Sequence, residues 1–232
     1  MPTVRGGRNG AGEPARIGIM GGSFDPIHLG HLIVAERARE ALGADRVLFI
    51  PCNIPPHKDA AGLTSGRHRL RMIELAAAGN PRFRASDIEL RRGGVSYTVE
   101  TIEELRNLHG RGAKLWFIIG ADSLRELTTW RDYRRLLRLC TVVTAGRPGV
   151  ALDRWRGARG AFGGREIARL KKHFLDAPLI GISSSEIRRR RQAGMSIRYL
   201  VPPAVERYIA AHGLYGGAAE RGRVRCRAAR TR

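Results

Sequence analysis

From Arg16 onward the chain alternates short apolar runs with amphipathic stretches, and this alternation restricts the fold more than any other feature. The runs at residues 17–20, 47–50, 83–85, 115–119 and 141–144 have the length of buried strands and are far too short to cross a bilayer. Between them, Leu32, Ala35, Ala38 and Leu42 mark one helix face. Leu70, Ile73 and Ala77 mark a second, and Val99, Ile102 and Leu105 a third. Strands that alternate with helices in this way read as a parallel sheet covered by crossover helices, so the expected class is α/β.

A chain of 232 residues is long enough for one sizeable core. We expect a single domain over residues 16–215. Residues 1–15 are rich in Gly and Pro, lack the apolar segment of a secretory signal, and read as a disordered lead-in. Residues 216–232 carry Arg221, Arg223, Arg225, Arg227, Arg230 and Arg232 against the single acid Glu220, and read as a disordered basic tail. That tail accounts for part of the net charge of +21, which would otherwise point to a nucleic-acid partner. Cys52, Cys140 and Cys226 form no C-x-x-C pair, so neither a disulfide framework nor a zinc site is supported and a reducing cytoplasm is the expected setting. Residues 146–164 read as a long surface loop before a helix at 166–175. Pro202 and Pro203 suit the first turn of a last helix, 204–211, that Gly213 would stop.

The most informative segment, Gly21-Gly22-Ser23-Phe24-Asp25-Pro26-Ile27-His28-Leu29-Gly30-His31, falls between the first strand and the first helix. In an open parallel sheet this is the carboxyl end of a strand, where ligands bind. Glycines let backbone N–H groups approach a phosphate, and the following helix adds the positive end of its dipole. His28 and His31, three apart, share one face of that helix and can both donate to a polyphosphate. A metal pair lacks a third ligand at sensible spacing. One capping and one core histidine would be the bland alternative if the motif stood alone.

A second segment, Ile182-Ser183-Ser184-Ser185-Glu186-Ile187-Arg188, places hydroxyls at a helix start and an arginine one turn inside. Ser183 and Glu186 could close a capping box, and a helix N-terminus with Ser183, Ser184, Ser185 and Arg188 is also an anion site. The run Arg188 to Arg191 could otherwise be a solvated basic face.

Gly-Ser-Phe-Asp-Pro-x-His-x-Gly-His resembles the signature of the nucleotidyltransferases related to class I aminoacyl-tRNA synthetases, with Ser23 where Thr is frequent. Ile-Ser-Ser-Ser-x-Ile-Arg resembles that superfamily's second motif, with Ser185 in place of Thr. Four further stretches resemble the bacterial nicotinate-nucleotide adenylyltransferase branch: Pro51-Cys52-Asn53-Ile54-Pro55-Pro56-His57-Lys58, Ser96-Tyr97-Thr98-Val99-Glu100-Thr101, Gly120-Ala121-Asp122-Ser123 with Trp130, and Gly146-Arg147-Pro148-Gly149.

The resemblance spans residues 16–215. It implies a Rossmann-like open parallel sheet with helices on both faces, and an adenylyl transfer from ATP to nicotinate mononucleotide that gives deamido-NAD and pyrophosphate. By resemblance, His28, His31 and Arg188 are catalytic. Gly21, Gly22, Ser23, Phe24, Gly120, Asp122, Ser183, Ser184 and Ser185 hold ATP. Asn53, His57, Lys58, Tyr97, Thr98, Trp130 and Arg147 hold the acceptor.

Several of these positions also have a plainer reading: a Pro-rich turn at 55–58, a helix cap at Thr98 or Asp122, a core tryptophan at Trp130. Mg²⁺ is expected to arrive with ATP, on phosphates and water rather than on a protein ligand cluster. ATP and nicotinate mononucleotide are thus the expected partners, with no membrane, nucleic acid disfavoured and a homo-oligomer left open. The rivals are another acceptor, nicotinamide mononucleotide or phosphopantetheine, and a basic nucleic-acid-binding protein. Removing the residues after Tyr215 separates the last of these, because nucleic-acid affinity should fall while adenylyl transfer persists.

Overall fold

The computed structural model describes residues 14–56, 62–146, 162–178 and 180–217. Among them, six strands form one parallel sheet: β1 (Arg16–Gly22), β2 (Arg46–Pro51), β3 (Phe83–Ala85), β4 (Lys114–Gly120), β5 (Thr141–Gly146) and β6 (Phe174–Asp176), in the order β3-β2-β1-β4-β5-β6. The helices are α1 (Leu29–Leu42), α2 (Gly66–Ala77), α3 (Ile88–Arg92), α4 (Thr98–His109), α5 (Ala121–Glu126), α6 (Tyr133–Leu139), α7 (Gly164–Lys172), α8 (Ser184–Gln192) and α9 (Pro203–Ala211).

Side chains alternate across each strand, and both faces of the sheet are covered, which is why the strands read as unbroken apolar runs. On one face Ile17, Ile19, Leu48, Leu115, Phe117 and Val142 pack with Ile102 and Leu105 of α4, Leu136 of α6 and Leu170 of α7. On the other, Met20, Val47, Phe49, Ile118 and Val143 pack with Ala35 and Ala38 of α1, Met72 and Ile73 of α2, Ile187 of α8, and Val205 and Ile209 of α9. Each fully buried aliphatic side chain contributes roughly 1.5–3 kcal/mol, so both layers are needed to offset the entropy of ordering the sheet.

Helix ends follow local chemistry. Gly43, at φ +61°, ends α1 with its N–H on Arg39 and Glu40 carbonyls, and the Ser65 hydroxyl accepts the His68 N–H to start α2.

The five expected strands and three expected helix stripes all form; β3 has the expected bounds and the other four strands run one or two residues longer at one or both ends. The helix expected at 166–175 is shorter than that: α7 stops at Lys172 and the chain enters a sixth strand. The reason lies across the sheet. A Cβ on Gly146 would sit 1.9 Å from the Phe174 ring, so only glycine there lets Phe174 lie against β5. Helices α3, α5 and α6 span two turns or less and were not expected. The last helix begins at Pro203 with Pro202 as its cap, and Gly213 follows it at φ +58°. The lead-in up to residue 13, the loop over 147–161 and the tail from 218 lie outside the described residues. Among the described residues, no helix is long and apolar enough to cross a membrane.

Candidate active site

Strand order reverses between β1 and β4, and a cleft opens at their carboxyl ends, where the two halves of such a sheet diverge. The cleft measures about 1110 Å³, slightly above the usual range of small-ligand sites and roomy enough for two nucleotides. Gly21, Gly22, Ser23, His28, His31, Ser183, Ser184, Ser185 and Arg188 line one side of it; Tyr97, Thr98, Gly120, Asp122 and Trp130 also line it. Two expected residues do not line it. Phe24 is buried beneath the loop, edge-on to His31 with ring centroids 5.0 Å apart. Asn53 turns to the backbone, donating from its side chain to the Gly94 carbonyl at 2.9 Å and from its N–H to the Ser96 hydroxyl at 2.8 Å. His57, Lys58 and Arg147 lie outside the described residues.

The two signature histidines stack, with centroids 3.7 Å apart and planes 27° from parallel. Gly30 makes this possible, because a Cβ there would press on His28 Nδ1 at 3.0 Å and Ile180 at 3.3 Å. The His28 N–H donates to His31 Nδ1 at 3.2 Å, so Nδ1 carries no proton and Nε2–H is the donor that His31 can offer a ligand. Burial pushes the His28 pKa down to about 4; burial and the neighbouring His28 push His31 down to about 3. Both rings are therefore neutral donors at pH 7, which avoids charge repulsion within the stack.

Helix α8 meets the signature loop directly. Ser184 donates to the Pro26 carbonyl at 2.9 Å, and Arg188 donates to the Asp25 carbonyl at 2.7 Å and to the Ser185 hydroxyl at 3.3 Å. Ser183 caps the helix by accepting the Glu186 N–H at 3.2 Å; the Glu186 carboxylate is taken by Arg189 at 2.7 Å. The arginine run is thus not a bare basic face, since Arg190 also donates to the Ser196 carbonyl at 2.8 Å.

Across the cleft, Tyr97 caps α4 and Thr98 begins it. Trp130 packs on the core with its ring edge-on to Phe117 at 5.9 Å while still lining the cleft, so the core and ligand-facing readings both hold. Asp122 lies in the first turn of α5 with a fully exposed side chain and is not its cap.

The cytidylyltransferase-like family profile matches residues 19–190. Two curated relatives carry the name "Probable nicotinate-nucleotide adenylyltransferase". The protein of Moorella thermoacetica is 44% identical over 88% of this chain and 93% of its own length. That of Thermus thermophilus is 46% identical over 86% and 99%.

The chain belongs to the nicotinate-nucleotide adenylyltransferase family.

Solved structures agree on the fold. The Plasmodium falciparum nicotinic acid mononucleotide adenylyltransferase complexed with NaAD superposes with a TM-score of 0.68 at 20% identity, covering 87% of this chain and 97% of that one. The complex of that enzyme with APC gives 0.65 at 19% identity, over 86% and 96%.

Within this adenylyltransferase cleft, several contributors escape sequence reading. Arg131 lies over the Tyr97 ring, 4.4 Å from its centroid, and pairs with Glu100 at 3.4 Å. Glu89, buried and pushed upward in pKa by that burial, accepts from the Thr101 hydroxyl at 2.7 Å and from Ser96. Arg69, 1% exposed, donates to the Ser23 carbonyl at 2.9 Å and the Thr64 carbonyl at 2.7 Å. Only Arg131 carried a signal, its position beside Trp130; a buried arginine or glutamate in a helix reads in sequence as a solvated one.

Among the described residues no group of three His, Cys, Asp or Glu could hold a metal ion, and the Asp25 carboxylate is occupied by Tyr215 at 2.5 Å and the Thr64 N–H at 3.3 Å. The donors around the signature are imidazole, guanidinium, hydroxyl and backbone N–H, a set that suits phosphate oxygens rather than Mg²⁺ itself.

Proposed function

We propose that this chain transfers the adenylyl group of ATP to nicotinate mononucleotide, giving deamido-NAD and pyrophosphate in NAD biosynthesis. The observation that carries the reading is the meeting, at the β1–β4 divergence, of the stacked His28–His31 pair with the N-terminus of α8 and Arg188. Such a cluster of donors, with the adjoining Asp25 carboxylate taken by Tyr215 and Thr64 and that of Glu186 by Arg189, favours a polyphosphate. The 5′-phosphate of the acceptor attacks the α-phosphorus, and the bond to the pyrophosphate oxygen breaks. A phosphate monoester has a second pKa of about 6, so the nucleophile is already largely dianionic and needs no general base.

Catalysis is then positioning and charge stabilisation. His31 Nε2–H and His28 face the charge that builds on the leaving pyrophosphate, each donor worth roughly 3 kcal/mol. Arg188, the hydroxyls of Ser183 and Ser185 and the backbone N–H of Ser184 at the α8 N-terminus take the outer phosphates, and the backbone of Gly21, Gly22 and Ser23 supports the chain of phosphates. Gly120 and Asp122 meet the adenosine. Mg²⁺, bound by ATP oxygens and water, neutralises part of the polyphosphate charge. Tyr97, Thr98 and Trp130 take the pyridine ring, with His57, Lys58 and Arg147 assigned to the rest of the acceptor and Asn53 bracing the wall through Gly94 and Ser96. A cytoplasmic setting fits substrates of this kind.

Incubating the purified chain with Mg²⁺, ATP and nicotinate mononucleotide should yield one dinucleotide per pyrophosphate, with the mass of deamido-NAD. Absence of that dinucleotide would reject the reading.

A further inference from the structure

Tyr215 lies 190 residues beyond Asp25, on the chain that leaves α9, yet its hydroxyl donates to the Asp25 carboxylate at 2.5 Å. Asp25 is 2% exposed. Its second oxygen accepts the Thr64 N–H at 3.3 Å, and the Thr64 hydroxyl faces the Tyr215 oxygen. From Thr64 the circuit continues through its carbonyl to the buried Arg69 guanidinium, and from Arg69 to the Ser23 carbonyl. Ser23 and Asp25 flank Phe24, a non-glycine residue held at φ +48°. Asp25, Thr64, Arg69 and Ser23 therefore close a ring around the one strained residue of the phosphate loop, and Tyr215 braces its Asp25 corner. A left-handed Phe persists only where its surroundings over-determine it.

We infer that Tyr215 is a positioning residue for adenylyl transfer, acting through Asp25 and the Thr64–Arg69–Ser23 circuit to hold the signature loop in the conformation that receives the ATP phosphates. Three features support this over a purely architectural role. The ring encloses the signature loop rather than a surface turn. Gly62 and Leu63, which lead into Thr64, line the cleft, so the same ring ties the segment after Asn53 to the ATP side. Finally, a fully buried guanidinium is costly unless its donors are used, and Arg69 spends them on two carbonyls of this circuit.

The inference rests on the signature loop being the polyphosphate site, so the test reads the loop and the reaction separately. Tyr215→Phe keeps the ring and removes only the hydroxyl; Thr64→Val removes the hydroxyl that meets Tyr215. Tyr208→Phe, on α9 and bonded to His68 instead, is the control. The measurements are kcat and both KM values, the melting temperature, and amide hydrogen exchange of the peptide spanning residues 21–31.

For Tyr215→Phe we expect exchange in that peptide, but not in α4, to accelerate about tenfold, and kcat to fall by a similar factor, with melting lowered by a few degrees at most. Adding Thr64→Val should cost little more, because both variants remove the same hydroxyl bracing of Asp25. The Tyr208→Phe control should keep wild-type kcat. Unchanged exchange in Tyr215→Phe would overturn the inference even if the wild type released no pyrophosphate, an outcome that would separately reject the proposed reaction. Unchanged kcat in Tyr215→Phe beside an active wild type would overturn it as well.

Discussion

Around the signature loop, the carbonyls of Ser23, Asp25 and Pro26 each receive a side-chain donor from a helix distant in sequence, Arg69 of α2 for the first and Arg188 and Ser184 of α8 for the other two. Across the cleft the wall assigned to the adenosine and the acceptor is looser: the Asp122 side chain is fully exposed, that of Arg131 is 59% exposed, and Trp130 leans on Phe117 without a polar anchor among the described contacts. Charge develops on the pyrophosphate, and a donor must already be in place when it does, since misplacement by about 1 Å can cost 10²-fold. The acceptor need only be oriented, which ring packing and a few backbone donors can achieve.

The largest expected effect breaks the ordered half. His31→Ala should lower kcat by about 10²-fold or more while the melting temperature stays within a few degrees, because the ring lines the cleft instead of bridging core layers. Turnover near the wild-type value would remove the role given to Nε2–H. Arg188→Ala should cost about thirtyfold in kcat/KM for ATP, and Arg188→Lys should recover little, since a lysine lacks the fork that reaches both the Asp25 carbonyl and the Ser185 hydroxyl.

On the looser side, Trp130→Ala should raise the acceptor KM about tenfold with the ATP KM nearly unchanged. An equal rise in both would mean the two halves are not separable. Asp122→Asn, at a fully exposed position, should change either KM by about threefold at most.

The contrast also has a pH signature. The folded pKa values of His28 and His31, about 4 and about 3, lie below the ordinary 6.5, so the unfolded chain binds protons first as pH falls. Their contribution to stability is complete above 6.5 and is lost as pH drops from there toward 4 and 3. Thermal melts at pH 7.5 and 5.5 should therefore show a larger drop for the wild type than for the His28→Asn/His31→Asn double variant. A drop of the same size in both would show that burial does not depress these imidazoles.

The sheet was legible because Ile17, Val47 and Leu115 sit in apolar runs that only a sheet covered on both faces explains. The sixth strand was not, since three residues carry no period and its place depends on a glycine 28 positions earlier. In the site, the two motifs announced His28, His31 and Arg188 because their spacing is local. Arg69, Glu89 and Tyr215 stayed hidden: their partners are 46, 12 and 190 residues away, and nothing in a helix or a chain end marks a polar group as buried. The same long reach explains why Asp25, which could have served a hydrated metal, is closed off by Tyr215 and Thr64.

The most direct test of the account is pyrophosphate release by the purified chain with Mg²⁺ and ATP, offering nicotinate mononucleotide, nicotinamide mononucleotide and 4′-phosphopantetheine at matched concentrations. A rate with the nicotinate compound at least about tenfold above the others is expected. Equal or greater release with another acceptor would contradict the assignment of Tyr97, Thr98 and Trp130, and no release with any of them would contradict the adenylyl-transfer site itself.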